Sequence, residues 1–238
     1  MKFVRLLICL LGVLTPAGHA AAQSICTSDN QTPALRLMER FTSADCASCW
    51  SEAATAAATL GTVVLDWVVP GLGGDEAPLS AVASSEAVER LNALDKRLPE
   101  RTAVTVESIA LAPGLKQSVL RVARGLAISG YIGVSIELGP TPTSATGQPL
   151  TAWLALVEVL PAGTESSPVV RHLVRGVFQS LWTPKTHWPG AVPSRLFEQR
   201  SISVADSVNV EQLQVIGWLT DSRGRILRAT QSQCAGMP

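Results

Sequence analysis

Two cysteines with two small residues between them, Cys46-Ala47-Ser48-Cys49, follow directly on a strand-length apolar run that closes with Phe41-Thr42-Ser43-Ala44-Asp45. This stretch constrains the chain more than any other. A disulfide can close a small ring across that spacing. Where a strand feeds a helix, the first cysteine also meets unpaired N–H groups and the positive end of the helix dipole, which favour thiolate over thiol.

What the cysteines can do depends on compartment. Met1-Lys2-Phe3-Val4-Arg5 is a short basic region, Leu6 to Leu14 an apolar core and Ala20-Ala21-Ala22 a small-residue cleavage site, so residues 1–22 read as a signal peptide. The expectation is a mature protein that starts near Gln23, crosses no membrane and resides in the periplasm or is secreted. Of five cysteines, Cys9 leaves with the leader. Cys26, Cys46, Cys49 and Cys234 remain, an even number for an oxidising compartment. Spacing favours Cys46 with Cys49, which leaves Cys26 with Cys234 as a structural disulfide joining the two ends. Lys2 and Arg5 also leave, so the mature chain is near −2 in net charge with no basic run. That excludes a nucleic-acid footprint and a polybasic membrane patch.

Residues 34–41 read as a strand, and the alanine-rich stretch from Ala47 to Leu60 as a helix capped by Asp45 or Ser43 and stopped by Gly61. Thr62 to Val69 is a near-continuous apolar run, the pattern of a strand covered on both faces. The opening unit is therefore βαβ. The Pro70 to Pro78 stretch, with Gly71-Leu72-Gly73-Gly74, is a loop. A helix is predicted over Ser80–Leu98, a strand over Thr102–Leu111 and a further helix over Gly114–Ala127. After Ser129-Gly130 the period shortens. Tyr131–Leu138, Leu150–Leu160, Leu196–Val204, Leu213–Thr220 and Ile226–Gln231 read as strands, and Val169–Trp182 fits strand or helix.

The fold class expected is α+β with two domains. Residues 23–128 form an α/β unit that resembles a thioredoxin-like domain, with the cysteine pair between strand and helix, and residues 129–238 an antiparallel β-sandwich-like domain. Cys46 would be the nucleophile and Cys49 the resolving thiol of a thiol–disulfide oxidoreductase whose client is an exported protein or a small thiol or disulfide. Two other readings stand: an inert staple in a non-catalytic binding or scaffold protein, and a copper(I) carrier. A single pair without a nearby His or Cys cannot complete a zinc tetrahedron, so neither a metal site nor a cofactor is assigned. Asp45, beside Cys46, opposes the thiolate. Asp66 interrupts the apolar strand and is either a buried proton acceptor or a carboxylate bonded to a backbone N–H. Trp50 and Trp67 either shield the pair or pack the core. Arg171, His172 and Arg175 read as a solvated strand face, and His187 as an isolated polar residue.

The block Glu39-Arg40-Phe41-Thr42-Ser43-Ala44-Asp45-Cys46-Ala47-Ser48-Cys49 resembles the E-L-F-T-S-Q-G-C-S-S-C signature of the secreted thioredoxin-like family of unknown function numbered 1223 (DUF1223). The resemblance implies an exported bacterial protein with a thioredoxin-like N-terminal and an all-β C-terminal domain, and supplies no substrate. Trp50-Ser51 stands where that family has Pro-Pro, and Thr102-Ala103 where thioredoxin-like proteins have a cis Thr-Pro.

Overall fold

The computed structural model describes residues 26–140, 148–183 and 195–234, so the expected signal peptide over residues 1–22 and His187 lie outside the described residues. Along the chain come β1 (Cys26–Thr27), β2 (Arg36–Ser43), a single helical turn α1 (Ala47–Trp50), β3 (Thr62–Val69), α2 (Ser85–Ala93), β4 (Thr102–Ser108) and β5 (Val119–Ile128). There follow β6 (Tyr131–Gly139), β7 (Leu150–Leu160), β8 (Arg171–Trp182), β9 (Leu196–Ser203), β10 (Leu213–Thr220), β11 (Ile226–Gln231) and β12 (Gln233–Cys234).

These strands form two sheets, one of five strands in the order β12-β1-β5-β6-β9 and one of seven in the order β11-β10-β7-β8-β3-β2-β4. The architecture is a β-sandwich, which corrects the expected α+β chain with a thioredoxin-like first domain. Only two α-helices occur among the described residues, and β2, β3 and β4 share one sheet with β7, β8, β10 and β11. The boundary drawn at residues 128 and 129 falls inside a hairpin: β5 and β6 are antiparallel neighbours. Ser129 and Gly130 turn the chain with φ of 50° and 76°, the two positive values that a two-residue hairpin turn needs.

Local pattern explains the other corrections. The 114–127 helix is replaced by a 3-10 turn at Pro113–Leu115 and strand β5, because Leu120 and Val122 alternate into the space between the sheets. Alanines 53, 54, 56, 57 and 58 offer no large apolar face to bury, so α1 stops after one turn and residues 51–61 run as coil. The 80–98 helix contracts to α2, whose N-cap Ser84 accepts from the Ala87 N–H at 3.3 Å. The Thr102–Ala103 bond is trans; the cis peptide among the described residues is Gly139–Pro140.

Between the sheets, Val122, Ile132, Ile136 and Leu138 meet Leu154, Leu156, Val215 and Leu219, a core buried from both sides. Gly217 lets the sheets approach there: a Cβ on it would lie 2.4 Å from Val122 Cγ1. The other face of the large sheet is covered by α2, through Ala87 and Leu91, over the stacked pairs Phe41/Trp67 and Trp153/Trp218. Arg90 of α2 enters this layer, 5.1 and 5.5 Å from the Trp153 and Trp218 rings. Its charge is met by the buried Glu39 carboxylate, which accepts from Arg90 Nη2 at 2.6 Å and from Trp67 Nε1 at 3.1 Å.

Candidate active site at the end of strand β2

Strand β2 ends between its two neighbours. Ser43 is level with Val69, the last residue of the parallel strand β3, and its N–H donates to the Arg101 carbonyl just before β4. The chain then turns. Ala44 N–H donates to Val69 O, Cys46 N–H to Ser43 O and Cys49 N–H to Cys46 O, which winds the single turn α1. Cys46 and Cys49 are joined by a disulfide, their Cα atoms 5.4 Å apart. The two sulfurs are unequally placed: Cys46 is half-buried, beside Ser48 Oγ at 3.7 Å, whereas Cys49 is 1% exposed. One turn carries little of a helix macrodipole, so the helix-end argument for a Cys46 thiolate does not hold here.

Asp45 turns toward the loop after β3. Its carboxylate accepts from the backbone N–H groups of Leu72 at 2.7 Å and Gly73 at 3.0 Å. A Cβ on Gly71 would lie 2.3 Å from the Asp45 carboxyl carbon, so this glycine is required by close approach rather than by φ. Gly71→Ala is expected to destabilise by about 1–3 kcal/mol, as overpacking does. Adding Asp45→Ala to the same chain should remove much of that loss in urea unfolding, because the atoms in collision are gone.

Behind the pair lies a cluster that the sequence did not reveal. Arg171 is wholly buried, not on a solvated strand face. It donates through Nη2 to the Trp50 carbonyl at 2.7 Å, through Nη1 to Asp66 at 3.1 Å and through Nε to Ser167 Oγ at 2.8 Å. Its guanidinium also sits 4.6 Å from the centre of the Trp50 ring. Arg40 donates to Asp66 at 2.7 Å, to the Ala56 carbonyl at 2.9 Å and to the Val170 carbonyl at 3.0 Å. Between them the two arginines fasten the 51–61 coil to the sheet. Burial pulls the pKa of Arg171 down and Asp66 opposes the shift; the group remains a cation.

Asp66 is 2% exposed and accepts from both guanidiniums and from the His172 N–H at 2.7 Å. The structure thus gives it the backbone-bonded place. Its oxygens are committed to three donors, which leaves it unsuited to the proton-acceptor role. It also marks the seam where β3 meets β8 in parallel, with Asp66 level with Leu173. Burial pushes the His172 imidazole below its ordinary pKa, with Asp66 raising it and Arg40 lowering it. Trp50 is buried under Arg171 next to the pair, while Trp67 lies on the opposite face against Phe41.

Cys26 and Cys234 form the second disulfide, pairing β1 with β12, and Arg124 Nη2 lies 3.6 Å from Cys234 Sγ. Among the described residues no group of three or more His, Cys, Asp or Glu is arranged to hold a metal ion, and no helix is long and apolar enough to cross a membrane. The signals that could have found the cluster were three polar residues, Arg40, Asp66 and Arg171, each inside an apolar strand pattern.

No family model matches the sequence, and no curated protein matches it. Among solved structures the chain is similar to HBP35 of Porphyromonas gingivalis, at 10% identity and a TM-score of 0.45, over 87% of this chain and 78% of that one.

Proposed function

We propose that the protein is an exported thiol–disulfide oxidoreductase acting through Cys46 and Cys49. The observation that carries this reading is the unequal exposure of the two cysteines: Cys46 is half-buried, the place of an attackable sulfur, and Cys49 is 1% exposed, the place of a shielded one. In the oxidising direction, a client thiolate attacks Cys46 Sγ. A client–Cys46 bond forms, the Cys46–Cys49 bond breaks, and Cys49 leaves as thiolate and takes a proton. A second client thiolate then attacks the client sulfur of the mixed disulfide. The client disulfide departs and the protein holds two thiols, having accepted two electrons. The reverse sequence reduces a client disulfide.

Two closed disulfides suit an oxidising compartment, the 1–22 leader suits export, and the resemblance of residues 39–49 to an exported family points the same way. The test is trapping. Cys49→Ser in the exported protein should accumulate mixed disulfides, because the Cys46 thiolate attacks a client disulfide, releases one client thiol and leaves a client–Cys46 bond that no second protein thiol resolves, and Cys46→Ser should accumulate none. Equal trapping by the two variants, or a wild-type pair inert to thiols, would leave the bond as a staple of a scaffold protein.

A further inference from the structure

The cluster behind the disulfide is not electrically balanced. Arg40, Arg171 and Asp66 are at most 2% exposed, and they sum to one uncompensated positive charge in the interior. Among the described residues, the other charged or titratable groups at this place do not cancel it. His172 is held below its ordinary pKa by burial and is neutral at pH 7. Glu52, on the 51–61 coil, is solvent-exposed and pairs with Arg101 at 3.4 Å. Asp45, next to Cys46, is solvent-exposed, with its carboxylate bonded to the Leu72 and Gly73 amides. Arg171 brings this charge within one residue of the pair: its Nη2 donates at 2.7 Å to the carbonyl oxygen of Trp50, the residue after Cys49.

Resting on the reading above, we infer that Arg40 and Arg171 tune the Cys46–Cys49 pair into an oxidant, a disulfide that takes two electrons from client dithiols. The disulfide is neutral, whereas the reduced pair carries negative charge to the extent that one of its thiols ionises. A buried cation that has lost its water stabilises that anion far more than an exposed one would. Stabilising the reduced form makes the disulfide a stronger electron acceptor. The arginines are positioning residues: they touch neither client nor sulfur, and they act on the charge that appears when the bond breaks. Asp66 holds both and limits the effect to one net charge.

The experiment equilibrates the mature protein with glutathione buffers at pH 7. In it, two glutathione thiols become glutathione disulfide as the pair becomes a dithiol, and alkylation with peptide mapping reads Cys46 and Cys49 apart from Cys26 and Cys234. Asp66→Asn should raise the ratio of reduced to oxidised pair about tenfold, and Arg171→Met should lower it about tenfold; tenfold corresponds to about 30 mV for two electrons. Arg171→Lys keeps the charge and should stay within about threefold of wild type. Shifts of one sign in the first two variants, or a lysine variant that moves as far as methionine, would overturn the inference.

If the charge variants do not fold, reduced wild-type protein decides alone through its thiolate absorbance near 240 nm. A thiol titrating well below the ordinary value of about 8.5 supports the assignment, and two thiols at or above it refute it. A wild-type pair that never exchanges with glutathione sinks the oxidoreductase reading itself. A pair that exchanges but ignores the charge changes sinks only this inference.

Discussion

Glu39→Ala is expected to lower the free energy of unfolding by about 3–5 kcal/mol, the usual cost of orphaning one member of a buried ion pair. Glu39 is 1% exposed and accepts from Arg90 through Nε at 2.9 Å and Nη2 at 2.6 Å, and from Trp67 Nε1. Without it, the Arg90 guanidinium stays between α2 and the Trp153 and Trp218 rings with no anion and little water. The indole N–H of Trp67 loses its acceptor as well. Replacing both partners, as Glu39→Met with Arg90→Met, should recover most of the loss, because the charge and its counter-ion leave together. Urea unfolding at constant m-value measures both. A single variant within about 1 kcal/mol of wild type would mean that this interior is wetter than its packing shows.

The second large effect is expected at the ends of the chain. Replacing Cys26 and Cys234 with serine should cost about 4–5 kcal/mol, since the bond spans 208 residues and its removal frees a very long loop in the unfolded chain. Breaking Cys46–Cys49, separated by three positions, should cost about 2 kcal/mol by the same reasoning. Denaturant unfolding of the two double-serine variants compares them directly, and a larger loss at the short bridge would contradict this order. The long bridge also has a local consequence. β1 and β12 are two residues each, too short to hold an edge unaided, so amide exchange in β5 next to β1 should rise most.

Much of the strand pattern was legible because burial on two faces writes continuous apolar runs. Thr62–Val69, Leu150–Leu160, Leu213–Thr220 and Ile226–Gln231 are strands with the bounds read from sequence. Helices were over-read for two reasons. Leu115, Val119, Val122 and Leu126 fall at helical spacing, yet pairing with β1 and β6 satisfies this backbone while Leu120 and Val122 fill the core. The alanines after Cys49 have helical propensity but nothing large to bury. At the site, the cysteine pair and its asymmetry were legible, since motif and spacing are local. The cluster was not: Asp66 and Arg171 lie 105 residues apart, and only the β3–β8 seam makes them neighbours. The clamp on Gly71-Leu72-Gly73 was hidden because a glycine kept for close approach looks, in sequence, like any loop glycine.

The antiparallel bridge between β1 and β12 sets the order of assembly. Residue 26 is among the first of the described residues to be synthesised, and its partner at 234 among the last. Until residue 234 has been made, β1 therefore has an unsealed flank and Cys26 a lone sulfur waiting. The sandwich closes only when residues 26 and 234 are stitched together, a bond across 208 positions that turns the chain between them into one ring.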